Sequence, residues 1–376
     1  MRVLRWAAIT LLLSACGGEP QPFRVGLIAP LSGDLAETGR ATVDAAQLAA
    51  KRINDAGSLR IGGQPTRLVL RVEDNHDSAE ASVGAVLKLV NQERVAAIIG
   101  PQASRNAIPA AGAANDLSIP LLSPASTHPD TTRNRPWVFR VAYTDDFQGR
   151  AIARFARREL GLQRAAVLFD IASAYNRNLA AVFRHEFEAL GGQLVAFESY
   201  TRDAPRVTAQ LGRIRDSGAQ ALFLPNYYNE VPGQVRQARE LGLNPVWLGS
   251  DSWATIPADQ LTALEGAYFS AVYSPDSGDE QVRAFVDAYR AAYGRDPVDV
   301  AALTYDAVGL LAAAAGAADS AGPAAIRNAL AKLDGYQGVT GTIAYTDSGD
   351  PVKSAVVLQV HAGGTRLRTR IEPGDQ

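Results

Sequence analysis

Two short stretches of this sequence gather hydroxyl side chains and backbone amides in a way that suits an anion. Gly100-Pro101-Gln102-Ala103-Ser104-Arg105-Asn106 runs into a segment of helical period, and Ser104 stands where a helix N-cap would. A helix start presents amide hydrogens with no carbonyl behind them, so an anion there meets both a hydroxyl and the positive end of the helix dipole. The same serine also reads as no more than the cap of its own helix. The second stretch, Leu122-Ser123-Pro124-Ala125-Ser126-Thr127-His128-Pro129, again places hydroxyls after an apolar run. Its prolines and serines suit an ordinary turn equally well. A countercharge of the opposite kind stands far along the chain, where Asp251 follows the short apolar segment Pro245 to Gly249. Taken by itself, Asp251 reads as a surface or capping residue.

Catalytic chemistry finds less support. Ser, His and Asp are all present, so an exported hydrolase is the main rival class. Yet His76, His128, His185 and His361 are scattered, and no Gly-x-Ser-x-Gly turn occurs. His128 lies in the second hydroxyl stretch and His76 in an expected loop, which makes those two the ones to test. His185 sits among polar neighbours on an expected helix. No His-Glu-x-x-His pattern exists, and the one cysteine permits neither an intramolecular disulfide nor a cysteine-rich metal site. A net charge of −2 with 20% charged residues gives no basic field for nucleic acid.

That cysteine has a different context. Arg2 and Arg5 precede an apolar run from Trp6 to Leu13, the architecture of an export signal. The run is shorter than the roughly 20 apolar residues of a membrane span. It ends in Leu13-Ser14-Ala15-Cys16, which resembles a bacterial lipobox; that resemblance implies cleavage before Cys16 and a diacylglycerol on its sulfur. Residues 1–16 are then a lipoprotein signal peptide and 17–22, polar and rich in Gly and Pro, a tether.

Loops of this kind must be held by something. Short runs rich in Val, Ile and Leu alternate with longer segments of helical period, which predicts parallel sheets covered by helices. The expected strands are Val25 to Ala29, Leu68 to Val72, Val95 to Ile99, Ala165 to Phe169, Gln193 to Phe197 and Ala221 to Leu224. Between them the period predicts helices over 41–55, 79–92, 106–115, 147–160, 178–190, 207–217 and 231–241. Several end at glycine, as C-capping requires, Gly57 and Gly161 among them. The stretch Val298 to Ala318 is apolar but broken by Asp299, Thr304, Tyr305 and Asp306, and reads as a buried helix rather than a membrane span. Prolines 124, 129 and 136 interrupt the β/α series, and a second series starts near Phe147. Some 350 residues after the tether exceed what one core usually serves, so the expected fold is α/β with two doubly wound, Rossmann-like lobes. In such sheets ligands sit beyond the carboxyl ends of the strands, where the hydroxyl loops lie.

In order and spacing across nearly the whole chain, several segments resemble the leucine/isoleucine/valine-binding branch of the periplasmic binding proteins, the first structural type of that superfamily. They are Val25-Gly26-Leu27-Ile28-Ala29-Pro30-Leu31-Ser32-Gly33, Ile98-Ile99-Gly100 followed by Ser104, and Ser123-Pro124-Ala125-Ser126-Thr127. Asp146-Phe147-Gln148-Gly149, Tyr227-Tyr228 and Leu248-Gly249-Ser250-Asp251 continue the series. The resemblance implies a three-stranded hinge, with lobes of 23–144 plus 275–351 and 145–274 plus 352–376. It implies that Ser104 and Thr127 receive a ligand carboxylate, and that the Ala125 carbonyl accepts from its ammonium. Tyr175 and Tyr227 close from the second lobe, and Asp251 pairs with the ammonium. It further implies an ABC permease as partner, a membrane contact through the lipid alone, no cofactor and no catalysis.

Two departures bear on specificity. Thr38 stands where some relatives carry an aromatic residue, and Arg105 and Asn106 replace small hydroxyl residues after Ser104. Arg105 is placed either to meet an acidic ligand side chain or to lie solvated at the helix start. A lipid-anchored sensor, or an activator of a cell-wall enzyme, is the alternative use of the same fold.

Overall fold

The computed structural model describes residues 21–374 apart from 205 and 347. The export segment, Cys16 and most of the tether lie outside the described residues. Alternation along strands builds the first lobe. In β1 (Phe23–Ala29), Val25 and Leu27 enter one core while Ile28 enters another on the opposite face. α1 (Ala36–Ala56) covers the first of these faces and stops at Gly57, whose left-handed φ of 59° lets its amide turn back onto Asn54. A small hairpin of β2 (Arg60–Ile61) and β3 (Gln64–Pro65) leads to β4 (Leu68–Asp74). α2 (Ala79–Asn91), β5 (Ala97–Ile99), α3 (Ser104–Asp116), β6 (Leu121–Ser123) and β7 (Val138–Arg140) follow. The five long-range strands run parallel in the order β4-β1-β5-β6-β7, with α2 and α3 on the second face. β7 falls within the proline-rich stretch that the sequence reads as a pause: three residues just after Pro136 carry too little pattern to announce a strand, and pairing with β6 supplies the rest.

α4 (Asp145–Arg154) opens the second lobe, capped by the Thr144 hydroxyl, and continues through one π turn at Phe155–Glu159 where the sequence predicts a single helix. β8 (Arg164–Asp170), α5 (Ala174–Ala189), β9 (Gln193–Tyr200), α6 (Thr208–Asp216), β10 (Ala221–Leu224), α7 (Val231–Glu240), β11 (Val246–Gly249), α8 (Ala258–Leu261) and β12 (Tyr268–Ala271) complete its α/β series. Ala166, Leu168, Leu222 and Leu224 face one core, and Ala165, Val167, Ala221 and Phe223 the other. α9 (Glu280–Tyr293), α10 (Asp299–Ala317) and α11 (Pro323–Ala331) then pack back onto the first lobe. α10 is the apolar stretch noted above. Most of its alanines lie buried and the helix packs against α1, so its length and hydropathy serve a protein core. After the hairpin of β13 (Tyr336–Gly338) and β14 (Gly341–Ile343), β15 (Ala355–His361) and β16 (Gly364–Ile371) add two antiparallel strands to the second sheet, whose order is β16-β15-β12-β11-β10-β8-β9. The fold is thus two three-layer α/β lobes, with strand ends facing a shared cleft.

Candidate functional site

The first wall of the cleft is the loop after β5. Gly100 has φ +94°, and a Cβ there would stand 2.2 Å from the Ile28 carbonyl oxygen, so only glycine lets the chain leave the sheet at this point. A cis peptide joins it to Pro101. Ser104 proves to be the first residue of α3, with Ala103 as the N-cap. Its hydroxyl is therefore not spent on its own helix. It meets the Ser126 hydroxyl at 2.9 Å, which in turn meets that of Thr131 at 2.7 Å. The neighbouring loop is held from beneath by Arg140, fully buried, which donates to the Ser126 and His128 carbonyls, both at 2.9 Å, and pairs with Asp350 at 2.5 Å. This corner thus offers hydroxyls and the unpaired amides of a helix start, with a guanidinium behind them.

The second wall belongs to the other lobe. Trp253 lies flat over Gly249, where any Cβ would meet the indole at 2.2 Å, and donates to the Leu224 carbonyl at 3.1 Å. That anchor fixes the turn carrying Asp251. The Asp251 carboxylate accepts from Tyr175 Oη at 2.5 Å, and its amide donates to Gln148 Oε1 at 2.8 Å. Burial pushes the Asp251 carboxyl above its usual value, against the tyrosine hydrogen bond, which favours the charged form. A buried ladder sets the tyrosines: Asn176 donates to Asn226, which donates to Gln234 and to the Leu168 carbonyl. It ties the start of α5 to the loop after β10, so the Tyr175 and Tyr227 rings meet at 5.2 Å.

Between these walls lies a cavity of about 60 Å³ lined by Thr38, Ser104, Ala125, Tyr175, Tyr227 and Asp251 among others. Drug-sized ligand sites run to about 300–1,000 Å³, so the cleft suits a compact solute. Two expected residues are elsewhere. Thr127 does not line the cavity; its carbonyl accepts from the Asp145 amide at 2.8 Å. Arg105 does not reach in either. It pairs with Asp77 at 2.5 Å and lies over the Tyr227 ring at 4.5 Å, because a buried acid and an aromatic face hold a guanidinium better than water at the rim does. Asp77 is also 3.6 Å from Arg202, which bonds Asp34 at 2.5 Å, so this network crosses from one lobe to the other. Gln102, Tyr228, Ser252 and Asp299 also line the cavity, none of them singled out by spacing. Gln102 lies in a loop that the sequence marks and Asp299 interrupts the apolar stretch Val298 to Ala318, but nothing in their spacing marks either as lining a cavity.

One cluster imitates catalytic machinery. The Ser32 hydroxyl meets His76 Nδ1 at 2.7 Å and donates to Asp74 at 2.8 Å, while Asp74 lies 3.0 Å from that same ring nitrogen. A proton relay needs the serine on one nitrogen and the acid on the other. Here both compete for Nδ1 at an exposed rim. His128 Nδ1 accepts from the Asp130 amide, capping a turn, and His361 and His185 are at the surface.

A two-lobed α/β chain with a small polar cavity between strand ends has known counterparts. The profile of the periplasmic binding protein family spans residues 22–365. An amino acid binding protein of Pseudomonas aeruginosa is 30% identical over 307 residues, covering 80% of each chain. The leucine-, isoleucine-, valine-, threonine- and alanine-binding protein of the same organism is 25% identical over 92% of each. Among solved structures, a leucine-binding protein of Thermotoga maritima superposes with a TM-score of 0.87 at 29% identity, over 94% of this chain and 99% of its own. A branched-chain amino acid transporter substrate-binding protein of Streptococcus pneumoniae, in complex with isoleucine, gives 0.84 at 29% identity, over 94% and 99%. Family profile, relatives and fold agree with the geometry of the cleft: this chain belongs to the periplasmic binding protein family, with its type I fold, and works by binding a solute rather than by catalysis.

Proposed function

We propose that the chain captures a small free amino acid, or a close analogue, between its lobes and delivers it to an ABC importer. One observation carries this reading: Ser104 with the amides of α3, and Asp251 with Tyr175, line the same small cavity from opposite lobes. An ammonium taken out of water requires a full countercharge, and a carboxylate is well met by hydroxyls and helix-start amides. Neither lobe alone supplies both, so closing the cleft and holding the ligand are one event. For that motion we take 23–144 with 275–351, and 145–274 with 352–376, as the rigid halves. The amino acid ligands of the relatives above support the same reading.

We place the protein outside the cytoplasmic membrane, tethered through a lipid on Cys16; replacing Cys16 by Ser would then release it or leave it unprocessed. The ligand reading is tested by a thermal-shift screen of the mature chain against free amino acids and small amides. A true ligand at about 100 times its Kd adds about 2.7 kcal/mol of stability. A screen in which simple carboxylic acids stabilise as well as amino acids do would refute the zwitterion.

A further inference from the structure

The two charged ends of an amino acid leave one polar residue of the cavity lining without a role, Gln102. It is 4% exposed, yet neither its Oε1 nor its Nε2 has a hydrogen-bond partner. A buried side-chain amide with one acceptor and two donor hydrogens is costly to leave unmet. Leu35, Val300 and Leu303, which line the same cavity, are apolar and supply no partner. We propose that Gln102 reads the ligand side chain, and that the chain selects an amino acid with a short side chain able to donate and accept together, a carboxamide above all.

The chemistry narrows the class by elimination. A carboxamide facing Gln102 answers both orphan atoms at once, its carbonyl taking a hydrogen from Nε2 while its own N–H reaches Oε1. An aliphatic side chain answers neither. A carboxylate cannot donate to Oε1 and finds no free countercharge, since Arg105 is engaged with Asp77 and Tyr227. A cationic side chain cannot accept from Nε2. The one further acid in the wall, Asp299, already accepts from the Val272 amide at 2.8 Å, and burial pushes its carboxyl up to about 8, so it offers no full negative charge at neutral pH.

This inference rests on the amino-acid reading above, and calorimetry on the mature chain separates the two. The probes are L-asparagine, L-glutamine and L-leucine, against the wild type, Gln102→Leu and Gln102→Met. We expect the wild type to bind one of the carboxamides at least about tenfold more tightly than leucine, the scale on which a site built for a polar group rejects its apolar analogue or exceeds it. Both variants should lose at least that preference while melting, without ligand, no lower than the wild type, because an apolar side chain replaces an unmet amide. A wild type that prefers leucine, or variants that keep the wild-type ranking, would overturn the assignment of Gln102 alone. If none of the three probes binds and a wider panel of free amino acids also fails, the amino-acid reading falls and this inference with it.

Discussion

The two ends of the cavity solve opposite problems with different materials. In the proposed grip the ligand's carboxylate would be met on the first lobe by dipoles: the Ser104 hydroxyl, its partner Ser126, and helix-start amides, with the Arg140 guanidinium bonded to the Ser126 carbonyl behind them. On the second lobe the proposed partner of the ammonium is a single carboxylate, Asp251, steadied by Tyr175. Distributed donors are redundant, and one carboxylate is not. The second lobe should therefore be far less tolerant of substitution than the first, although the proposed grip draws on both.

The largest effect expected is at Asp251. Asp251→Ala leaves a buried ammonium without its partner and should cost about 3–5 kcal/mol of binding by calorimetry, with Asp251→Glu milder. Ser104→Ala removes one donor among several and should cost no more than about 1.5–3 kcal/mol. Equal losses at the two positions would break the comparison.

Proton linkage sharpens it next. Only the charged form of Asp251 pairs with an ammonium, and its carboxyl is held above the usual value, so affinity should begin to fall at a higher pH than an ordinary carboxylate of pKa about 3.9 would dictate. On the Ser104 side the nearest titrating group in the loop, His128, is held below its ordinary value by burial, and its ring bonds only its own turn. Stability of the ligand-free chain carries a related signature. Burial pushes both Asp145 and Asp299 up to about 8, so the native state holds protons that the unfolded chain has released from about pH 4 upward. Native protonation exceeds unfolded protonation in that window, and these two groups make stability fall as pH rises through it. Asp145→Asn should therefore stabilise the protein more at pH 8 than at pH 5 in thermal melts; an equal gain at both would contradict the linkage.

The smallest effect belongs to the rim. Arg202 bridges the lobes through Asp34 at an exposed position, so Arg202→Ala should weaken binding by no more than about 1 kcal/mol, an effect that shrinks in high salt. A large, salt-independent loss would move the grip from the cavity to the rim.

Much of this architecture can be read without coordinates, and the reasons are local. β10 is found at Ala221–Leu224 as its apolar run predicts, because a central strand buried on both faces has a continuous signal. β7 is not legible, since its three residues take their conformation from β6 and not from their own pattern. At the site, Ser104 and Asp251 stood out through loop position and family pattern. Arg105 misled because a sequence does not show that Asp77, 28 residues earlier, already holds it. Gln102 was invisible for the converse reason: an unmet amide is a fact about what surrounds a side chain, and spacing carries no trace of it.

The central claim is that one ligand spans both charged ends, and a paired titration tests it most directly. Wild type and Asp251→Ala are each titrated with the best amino acid from the screen and with its α-hydroxy acid counterpart, which keeps the carboxylate and side chain but lacks the ammonium. The account predicts that the wild type favours the amino acid by at least about a hundredfold, some 2.7 kcal/mol, and that Asp251→Ala binds the two alike to within a few-fold. A wild type that binds both equally, or a variant that keeps the full preference, would show that Asp251 does not hold the ammonium.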